Sequence, residues 1–288
     1  EKEENKKEDP KQENQQEQDS QNEDKNILWL FSRLQDDRKY SVGFFSNKDD
    51  MLIPINKPAF CYFQTKVTTG LKFIIHAPFL LTDSREGIKA KEEHNIELIE
   101  KLADLSKDAL LYLRDAELPH KLITDEIINI IPIDEKDFPA NSDTISFRPF
   151  YNKIKALFQT EEILPTADGY VKREDAYWAS VTTLPKIFDD EKLKIIVNND
   201  SAQWVFTTIG SANIKYSKSS LYSYILSLVS EELDENTFLS SNRKINATFI
   251  EKQDTDWLHI FYKWLSEAQN RTELSKKLPV FLNQNSKA

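Results

Sequence analysis

Apolar residues are grouped in three short runs near the start of the folded part of the chain. The runs cover 27–31, 40–45 and 51–55, and they are rich in β-branched and aromatic residues, which favour strands. Clusters of Asp and Asn at Asp36-Asp37 and 47–50 separate them, as is typical of turns. This pattern predicts a meander of strands.

A second pattern covers residues 60–95. Phe60 to Phe63 and Leu71 to Ile75 read as two more strands, separated by a turn at Gly70. After Pro78, Asp83 or Ser84 is predicted to cap a helix that begins at Arg85, and Asp83 and Glu86 have the spacing of a capping box. The helix dipole disfavours a cation in the first turn, so the pattern predicts an anionic partner for Arg85.

The period changes to that of an amphipathic helix from Glu92 to Asp115. Its apolar stripe consists of Ile96, Ile99, Leu102, Leu105 or Ala109, and Leu113. The predicted fold class is therefore α+β, with a mixed sheet of about five strands and a long helix packed on it, followed by a smaller α/β module. Lys121 to Ile131 is predicted to be helical or mixed.

Asp, Pro, Asn and Ser accumulate near residues 134–146 and predict a domain boundary there. The second module is expected to contain two strands, at Leu193 to Val197 and at Trp204 to Ile209. Its predicted helices are Phe147 to Phe158, one from Ser219 or Ser220 through Leu233, and Trp257 to Ala268 with a stripe of Trp257, Phe261 and Trp264 or Leu265. The predicted divisions are 1–26, 27–135, 146–270 and 271–288, the last being the truncated start of a further unit.

Composition limits the classes of function. The chain has 48 acidic and 38 basic residues, and residues 1–26 contain no large apolar residue, which predicts a disordered charged linker. A nucleic-acid interface needs a concentrated basic face, and a membrane span needs about 20 apolar residues, so neither partner is expected. The single Cys61 lies in an apolar run, which predicts a buried inert thiol in a reducing, cytoplasmic setting. Both ends of the chain are typical of a piece excised from a longer protein.

Several short motifs in the 60–95 stretch are familiar. They are Tyr62-Phe63-x-Thr65, Gly70-Leu71-x-Phe73, His76-Ala77-Pro78-Phe79 and Thr82-Asp83-Ser84-Arg85-Glu86. From Ile27 to about Ala116 the sequence resembles the middle, transducer region of the ninety-kilodalton heat-shock chaperones and of sacsin-like proteins, which follows a GHKL-type ATPase domain. The resemblance implies that Arg85 contacts the terminal phosphate of ATP held by that preceding domain. The alternative for Arg85 is a surface arginine paired with Glu86 or another carboxylate.

Two further residues are secondary candidates for nucleotide contact. Ser84 belongs to the same motif as Arg85, and Lys66 lies in Gln64-Thr65-Lys66, which is similar to the loop that presents a lysine to phosphate in gyrase-type ATPases. The alternative for Lys66 is a solvated loop lysine. The four histidines are too widely spaced to predict a metal site.

The five glycines, at 43, 70, 87, 169 and 210, are too dispersed to form a phosphate-binding loop. We therefore expect no cofactor in this segment itself, with ATP and Mg²⁺ bound elsewhere in the parent protein. The resemblance implies the upstream ATPase domain, protein clients and a homodimeric parent as partners. The alternative function is a non-catalytic scaffold for clients or partners, which a patch formed by Phe79, Tyr170, Trp178 and Trp204 would favour.

Overall fold

The computed structural model describes residues 26–35, 38–140, 143–239, 245–267, 269–276 and 280–283. The fold is mixed α+β, with several small sheets and helices, as predicted at that level. The predicted linker at 1–26 and the turn at Asp36-Asp37 fall almost wholly outside these residues. The predicted division into domains stays a prediction.

The first sheet has two long strands and several short ones. Its strands are β1 (Ile27–Gln35), β2 (Arg38–Ser46), β3 (Leu52–Ile53), β4 (Phe60–Cys61), β5 (Phe63–Gln64) and β6 (Ile74–His76). Their order is β1-β2-β6-β4-β5, with β3 also paired to β2. β1 and β2 are antiparallel over nine residues each, whereas the other strands have two or three. The run at Leu71 to Ile75 forms a strand only at its end.

A 23-residue helix, α1 (Glu93–Asp115), packs on β1 and β2. The stripe predicted from the sequence is buried at Ile99, Leu102, Leu105, Ala109 and Leu113, but Ile96 is exposed. The region 121–131 contains a 3₁₀ helix at Asp125–Asn129. The next helix, α2 (Arg148–Thr160), packs against α1 and matches the predicted helix at 147–158 closely.

Aromatic rings in contact with one another connect the first sheet to α2. The rings of Phe44 and Phe73 are 4.7 Å apart, and that of Phe73 lies 6.0 Å from Phe150 in α2. All three side chains are almost completely buried. This first core contains buried residues of the first sheet, α1 and α2, so α2 belongs to the same packed body as the first sheet.

Later parts of the chain form two more sheets and several short helices. A two-stranded sheet is formed by β7 (Leu164–Pro165) and β8 (Tyr170–Val171), and a parallel three-stranded sheet by β9 (Ala176–Ala179), β10 (Gln203–Val205) and β11 (Glu231–Leu233). The remaining helices are α3 (Leu184–Ile187), α4 (Asp190–Val197), α5 (Ser211–Ile214), α6 (Leu221–Leu228), α7 (Glu235–Phe238), α8 (Ala247–Ile250), α9 (Thr255–Ser266) and α10 (Gln269–Ser275).

Helix α9 confirms the predicted aromatic stripe. Trp257, Phe261, Trp264 and Leu265 are all buried in a second core that extends from Tyr177 to Val280. The indole N–H of Trp257 donates to the Ile187 carbonyl at 2.6 Å, which anchors α9 to α3. The stripe is therefore core.

Two predictions in this half were wrong. Leu193 to Val197 is helical, because the Asp189 carboxylate caps α4 by accepting from the Lys192 amide, and Asn198 ends the helix in the left-handed conformation. The helix predicted from Ser219 or Ser220 through Leu233 ends at Leu228, since Glu231–Leu233 pairs with β9 instead. The strand predicted at 204–209 is limited to Gln203–Val205.

Gly43 provides a direct test of how tightly the first sheet is packed. A Cβ at this position would lie 2.7 Å from Ile74 Cγ1 and 2.9 Å from Leu28 Cδ1, so Gly43→Ala forces neighbouring side chains to move. We expect it to lower the free energy of unfolding by about 1–3 kcal/mol, as overpacking does. Gly169→Ala is the matched control, because nothing lies within 4 Å of its Cβ. Equal urea midpoints for the two variants would contradict the packing described.

Candidate functional site

The predicted helix at Arg85 does not form. The segment 80–89 is instead a tight hairpin, in which the Arg85 amide donates to the Thr82 carbonyl at 2.8 Å and the Thr82 amide donates to the Gly87 carbonyl at 2.9 Å. The predicted cap and capping box at Asp83, Ser84 and Glu86 are therefore wrong. Asp and Ser favour turns as well as helix caps, and here the turn is formed.

Arg85 lies at the exposed tip of this hairpin, in the left-handed conformation with φ of 60°. That conformation costs an L-residue about 1–2 kcal/mol, so the surrounding hydrogen bonds must impose it. Within the described part of the chain, its guanidinium has no ion pair. Because no helix begins here, Arg85 does not face a helix dipole. Its side chain is nevertheless a cation that an anion can reach.

The structure brings Lys66 to the same hairpin. The Lys66 amide donates to the Glu86 carbonyl at 2.8 Å, and its ammonium pairs with the Glu86 carboxylate at 2.6 Å. Glu86 thus pairs with Lys66 and not with Arg85, so the alternative in which Arg85 is paired with Glu86 is wrong. Lys66 is exposed but paired, so it is not simply a solvated loop lysine. Both side chains are more than half exposed, so this ion pair stabilises the fold by no more than about 1 kcal/mol.

Ser84 serves the hairpin itself. Its hydroxyl lies 3.1 Å from the Thr82 hydroxyl and accepts from the Glu86 amide at 3.4 Å. The Gly87 amide also donates to the Thr82 hydroxyl at 3.1 Å. Ser84 is exposed beside Arg85, so it can contact a ligand only at the hairpin tip.

The side chain of Asn95, which the sequence did not single out, closes the base of the hairpin. Its Oδ1 accepts from the Leu80 amide at 2.8 Å, while its Nδ2 donates to the carbonyls of Leu80 at 2.9 Å and Lys89 at 2.8 Å. Asn95 is completely buried in the first turns of α1. The hairpin that carries Arg85 is therefore fixed to the start of the long helix. In the sequence, the signal for this role is that Asn95 directly precedes Ile96, the first position of the apolar stripe.

The loop that carries Lys66 is fixed by a second buried polar residue. Thr65 donates its hydroxyl to the Ala59 carbonyl at 2.7 Å and accepts from the Val67 amide at 3.2 Å. The two loops are thus held independently and are joined at Lys66 and Glu86. The result is a small exposed surface with two cations, Lys66 and Arg85, and one carboxylate, Glu86.

The neighbouring residues are structural. Cys61 is buried, as predicted; its thiol donates to the Phe79 carbonyl at 3.3 Å, and burial raises its pKa. His76 accepts from the Tyr62 amide at 3.2 Å, and burial, with the nearby Lys39 charge, lowers the pKa of His76. His76 is therefore held neutral as a hydrogen-bond acceptor.

Neither a metal site nor a membrane helix is found where the structure can be described. No group of three or more His, Cys, Asp or Glu side chains there could hold a metal ion. No helix of that part is both long and apolar enough to cross a bilayer.

Comparisons with protein-family models, with curated proteins and with solved structures give no match. The resemblance to the transducer region of GHKL-type ATPases therefore rests on the motifs in the sequence.

Asn95→Ala tests whether the hairpin depends on the buried amide. The substitution removes the side-chain partner of the Leu80 amide and of the Lys89 carbonyl, whereas the Leu80 carbonyl still accepts from the Lys89 amide, so we expect the free energy of unfolding to fall by about 1–3 kcal/mol. We also expect hydrogen exchange to accelerate at the Thr82, Gly87 and Lys89 amides. Asn129→Ala is the control, because Asn129 is exposed and bonds only Glu126 in the described structure, and it should change stability by less than about 0.5 kcal/mol. Unchanged exchange in Asn95→Ala would show that the hairpin is held by other contacts.

Proposed function

We propose that this chain is the middle, transducer segment of a longer ATP-dependent protein of the heat-shock protein 90-like or sacsin-like type. In this proposal Arg85 contacts the γ-phosphate of ATP bound by an upstream ATPase domain. The observation that carries it is the position of Arg85, exposed and without an ion pair among the described residues, on a hairpin locked to a long helix. The motifs around Arg85 are the second support.

The chemistry asked of Arg85 is electrostatic. A guanidinium beside the γ-phosphate stabilises the charge that develops on the phosphoryl oxygens during transfer. Rigid placement matters, since a donor that is already oriented needs no reorganisation when the reaction occurs. The hydrogen bonds of Asn95 and Thr82 fix the backbone from which the Arg85 side chain extends.

Lys66 and Ser84 take secondary parts. Lys66 has to exchange Glu86 for a phosphate oxygen, which is a small step because an exposed ion pair contributes no more than about 1 kcal/mol. The Ser84 hydroxyl adds a donor beside Arg85. ATP and Mg²⁺ are assigned to the upstream domain, which supplies the nucleotide pocket and the metal ligands.

The proposal also assigns roles to the larger units. Residues 27–135, with the first sheet and α1, act as one transducer-like body, and 146–270 act as a second module that follows it. Residues 1–26 connect the body to the ATPase domain, and 271–288 begin a further unit. Closure of the ATPase domain on the Arg85 surface then transmits the nucleotide state. A cytoplasmic location and a homodimeric parent accompany this proposal.

Arg85→Ala in the parent protein is the test of the proposed function. Because the guanidinium acts on charge that develops in the transition state, we expect kcat for ATP hydrolysis to fall by about a hundredfold or more. The Kd for ATP should stay nearly unchanged. Arg173→Ala is the matched control, since Arg173 is equally an exposed arginine but lies in a short 3₁₀ turn between β8 and β9.

Three results would contradict the proposal: equal losses in kcat and affinity, an unaffected rate, or the same loss in Arg173→Ala. The isolated chain is expected to hydrolyse no ATP by itself. Thermal unfolding of each variant confirms that the comparison is made between folded proteins.

One observation favours a second candidate function, a scaffold that binds extended polypeptides. Phe79, Trp178 and Trp204 are buried and Tyr170 is half-buried, so these four residues do not form the exposed aromatic patch that would favour a scaffold. However, β1 pairs with β2 alone among the described strands, and Leu28, Leu30 and Leu34 on one of its faces are exposed. A free nine-residue edge with exposed leucines is a suitable place for an added strand.

Leu30→Lys tests this second function. A labelled ten-residue peptide of alternating Val and Thr is titrated with the chain, and fluorescence anisotropy reports binding. A lysine in the apolar face should weaken binding by about tenfold, because the peptide side chains lose an apolar contact and must desolvate a charge. The control is Ile195→Lys on α4, whose side chain is 51% exposed against 53% for Leu30. Equal affinities for both variants would remove β1 as the docking edge.

A further inference from the structure

A cavity of about 410 Å³ lies between the segment 133–136, α2 and α6. It is remote in sequence from the surface around Arg85. Its volume is within the range of about 300–1,000 Å³ that is typical of small-molecule sites. The cavity is lined on one side by Tyr151 and Lys155 of α2 and on the other by Tyr224 of α6.

Two cations from α2 line this cavity with unused hydrogen-bonding capacity. Arg148 pairs through Nη1 with Glu135, but its Nε is buried and has no hydrogen-bond partner among the described atoms. The Lys155 ammonium lies 5.5 Å from the centre of the Tyr151 ring and 5.8 Å from that of Tyr224. It donates to the Tyr151 hydroxyl at 3.3 Å and has no carboxylate partner within the described chain. An ammonium has three donors, so two remain for a ligand or for water.

Tyr224 adds a polar group that is rarely left alone in a folded protein. The residue is 2% exposed, and its hydroxyl has no hydrogen-bond partner in the described structure. A buried hydroxyl without a partner costs about 1–3 kcal/mol. The oxygen is closed off from solvent, so a ligand reaches it by a shift of the side chains around it, and an acceptor bound there would recover this free energy. Burial, with Tyr151 nearby, raises the pKa of Tyr224, which keeps the hydroxyl protonated as a donor.

The charges around the cavity leave one cation in excess. Lys136, Arg148 and Lys155 face two carboxylates, Asp134 and Glu135. Asp134 already accepts from the Ser220 hydroxyl at 2.5 Å and from the Lys136 amide at 3.0 Å, and Glu135 is paired with Arg148. The local excess of one positive charge attracts an anion, whereas the net charge of −10 on the whole chain repels anions that carry more charge. Together they favour a singly charged anion.

We propose that this cavity is a binding site for a small organic monocarboxylate. Its carboxylate accepts from the Lys155 ammonium and the Tyr224 hydroxyl, and its apolar part lies against Ile133 and the Tyr151 ring. Aromatic and aliphatic walls with a few polar groups are the usual composition of such sites. The site is independent of the proposed transducer role, because neither Lys66 nor Arg85 lines the cavity.

The experiment is a calorimetric titration of the whole chain with benzoate and, separately, with benzamide. The two have nearly the same shape, but only benzoate carries the negative charge. We expect saturable binding of benzoate and binding of benzamide that is at least about tenfold weaker, as for the loss of a charge-assisted hydrogen bond. Lys155→Met should weaken benzoate by about the same factor, whereas Lys186→Met, at an exposed lysine of α3, should not.

Tyr224→Phe separates a ligand role from a role in folding. The hydroxyl has no partner in the described structure, so its removal should leave the urea midpoint unchanged or raise it. Benzoate affinity should nevertheless fall several-fold. Tyr216→Phe, at a tyrosine that is 90% exposed, is the control and should change neither quantity.

Four outcomes would overturn the proposal. They are no benzoate binding, equal affinities for benzoate and benzamide, unchanged benzoate affinity in Tyr224→Phe, and a lower urea midpoint in Tyr224→Phe. The last would assign the hydroxyl to the stability of the fold. None of these results bears on the ATPase test at Arg85, so the two proposals fail or stand separately.

Discussion

The hydrogen bonds of one buried amide, that of Asn95, fix the geometry on which the candidate site depends. The amide group of Asn95 is completely buried beneath the 80–89 hairpin, where a polar group needs hydrogen-bond partners. Asn is the one side-chain type, with Gln, that has both an acceptor and two donors on a single neutral group. At position 95 it uses all three on Leu80 and Lys89, which closes the hairpin without burying a charge.

The hydrogen bonds at the base also constrain the backbone at the tip of the hairpin. Arg85 adopts a backbone conformation that is unfavourable for an arginine, and Ser84, Thr82 and Gly87 form the local bonds around it. Glu86 pairs with Lys66, whereas Arg85 has no ion pair with any residue that the structure describes, so the two cations of this surface differ. An incoming anion therefore meets Arg85 first, and Lys66 joins only by giving up a weak ion pair.

The sequence predicts elements whose signal is repeated many times along the chain. The long helix, the β1–β2 pair and the aromatic stripe of α9 each rest on several periodic positions, and all three form. Predictions that rest on one or two residues were less secure. Asp83 and Ser84 have side chains that cap helices and also form turns, and a five-residue apolar run such as Leu193 to Val197 fits a helix or a strand.

Tertiary contacts account for the remaining differences. The apolar periodicity past Leu228 does not extend the helix, because a parallel place beside β9 is available to Glu231–Leu233. Ile96 belongs to the apolar stripe by spacing, yet none of the described helices and strands covers it, and it is exposed. For the candidate site, sequence motifs could indicate Arg85, Lys66 and Ser84. The placement of Lys66 beside the hairpin depends on a backbone hydrogen bond to Glu86, 20 positions away, which the sequence does not show.

Because Asn95 lies near the start of the 23-residue helix α1, the hydrogen bonds of Asn95 connect the hairpin to a long rigid element. At 1.5 Å per residue the helix is roughly 34 Å long, and near its other end Arg114 donates to the Glu162 carbonyl between α2 and β7 at 2.9 Å. The helix thus connects the Arg85 hairpin to the loop between α2 and β7. A tilt of about 5° at the hairpin end corresponds to a displacement of about 3 Å at the other end.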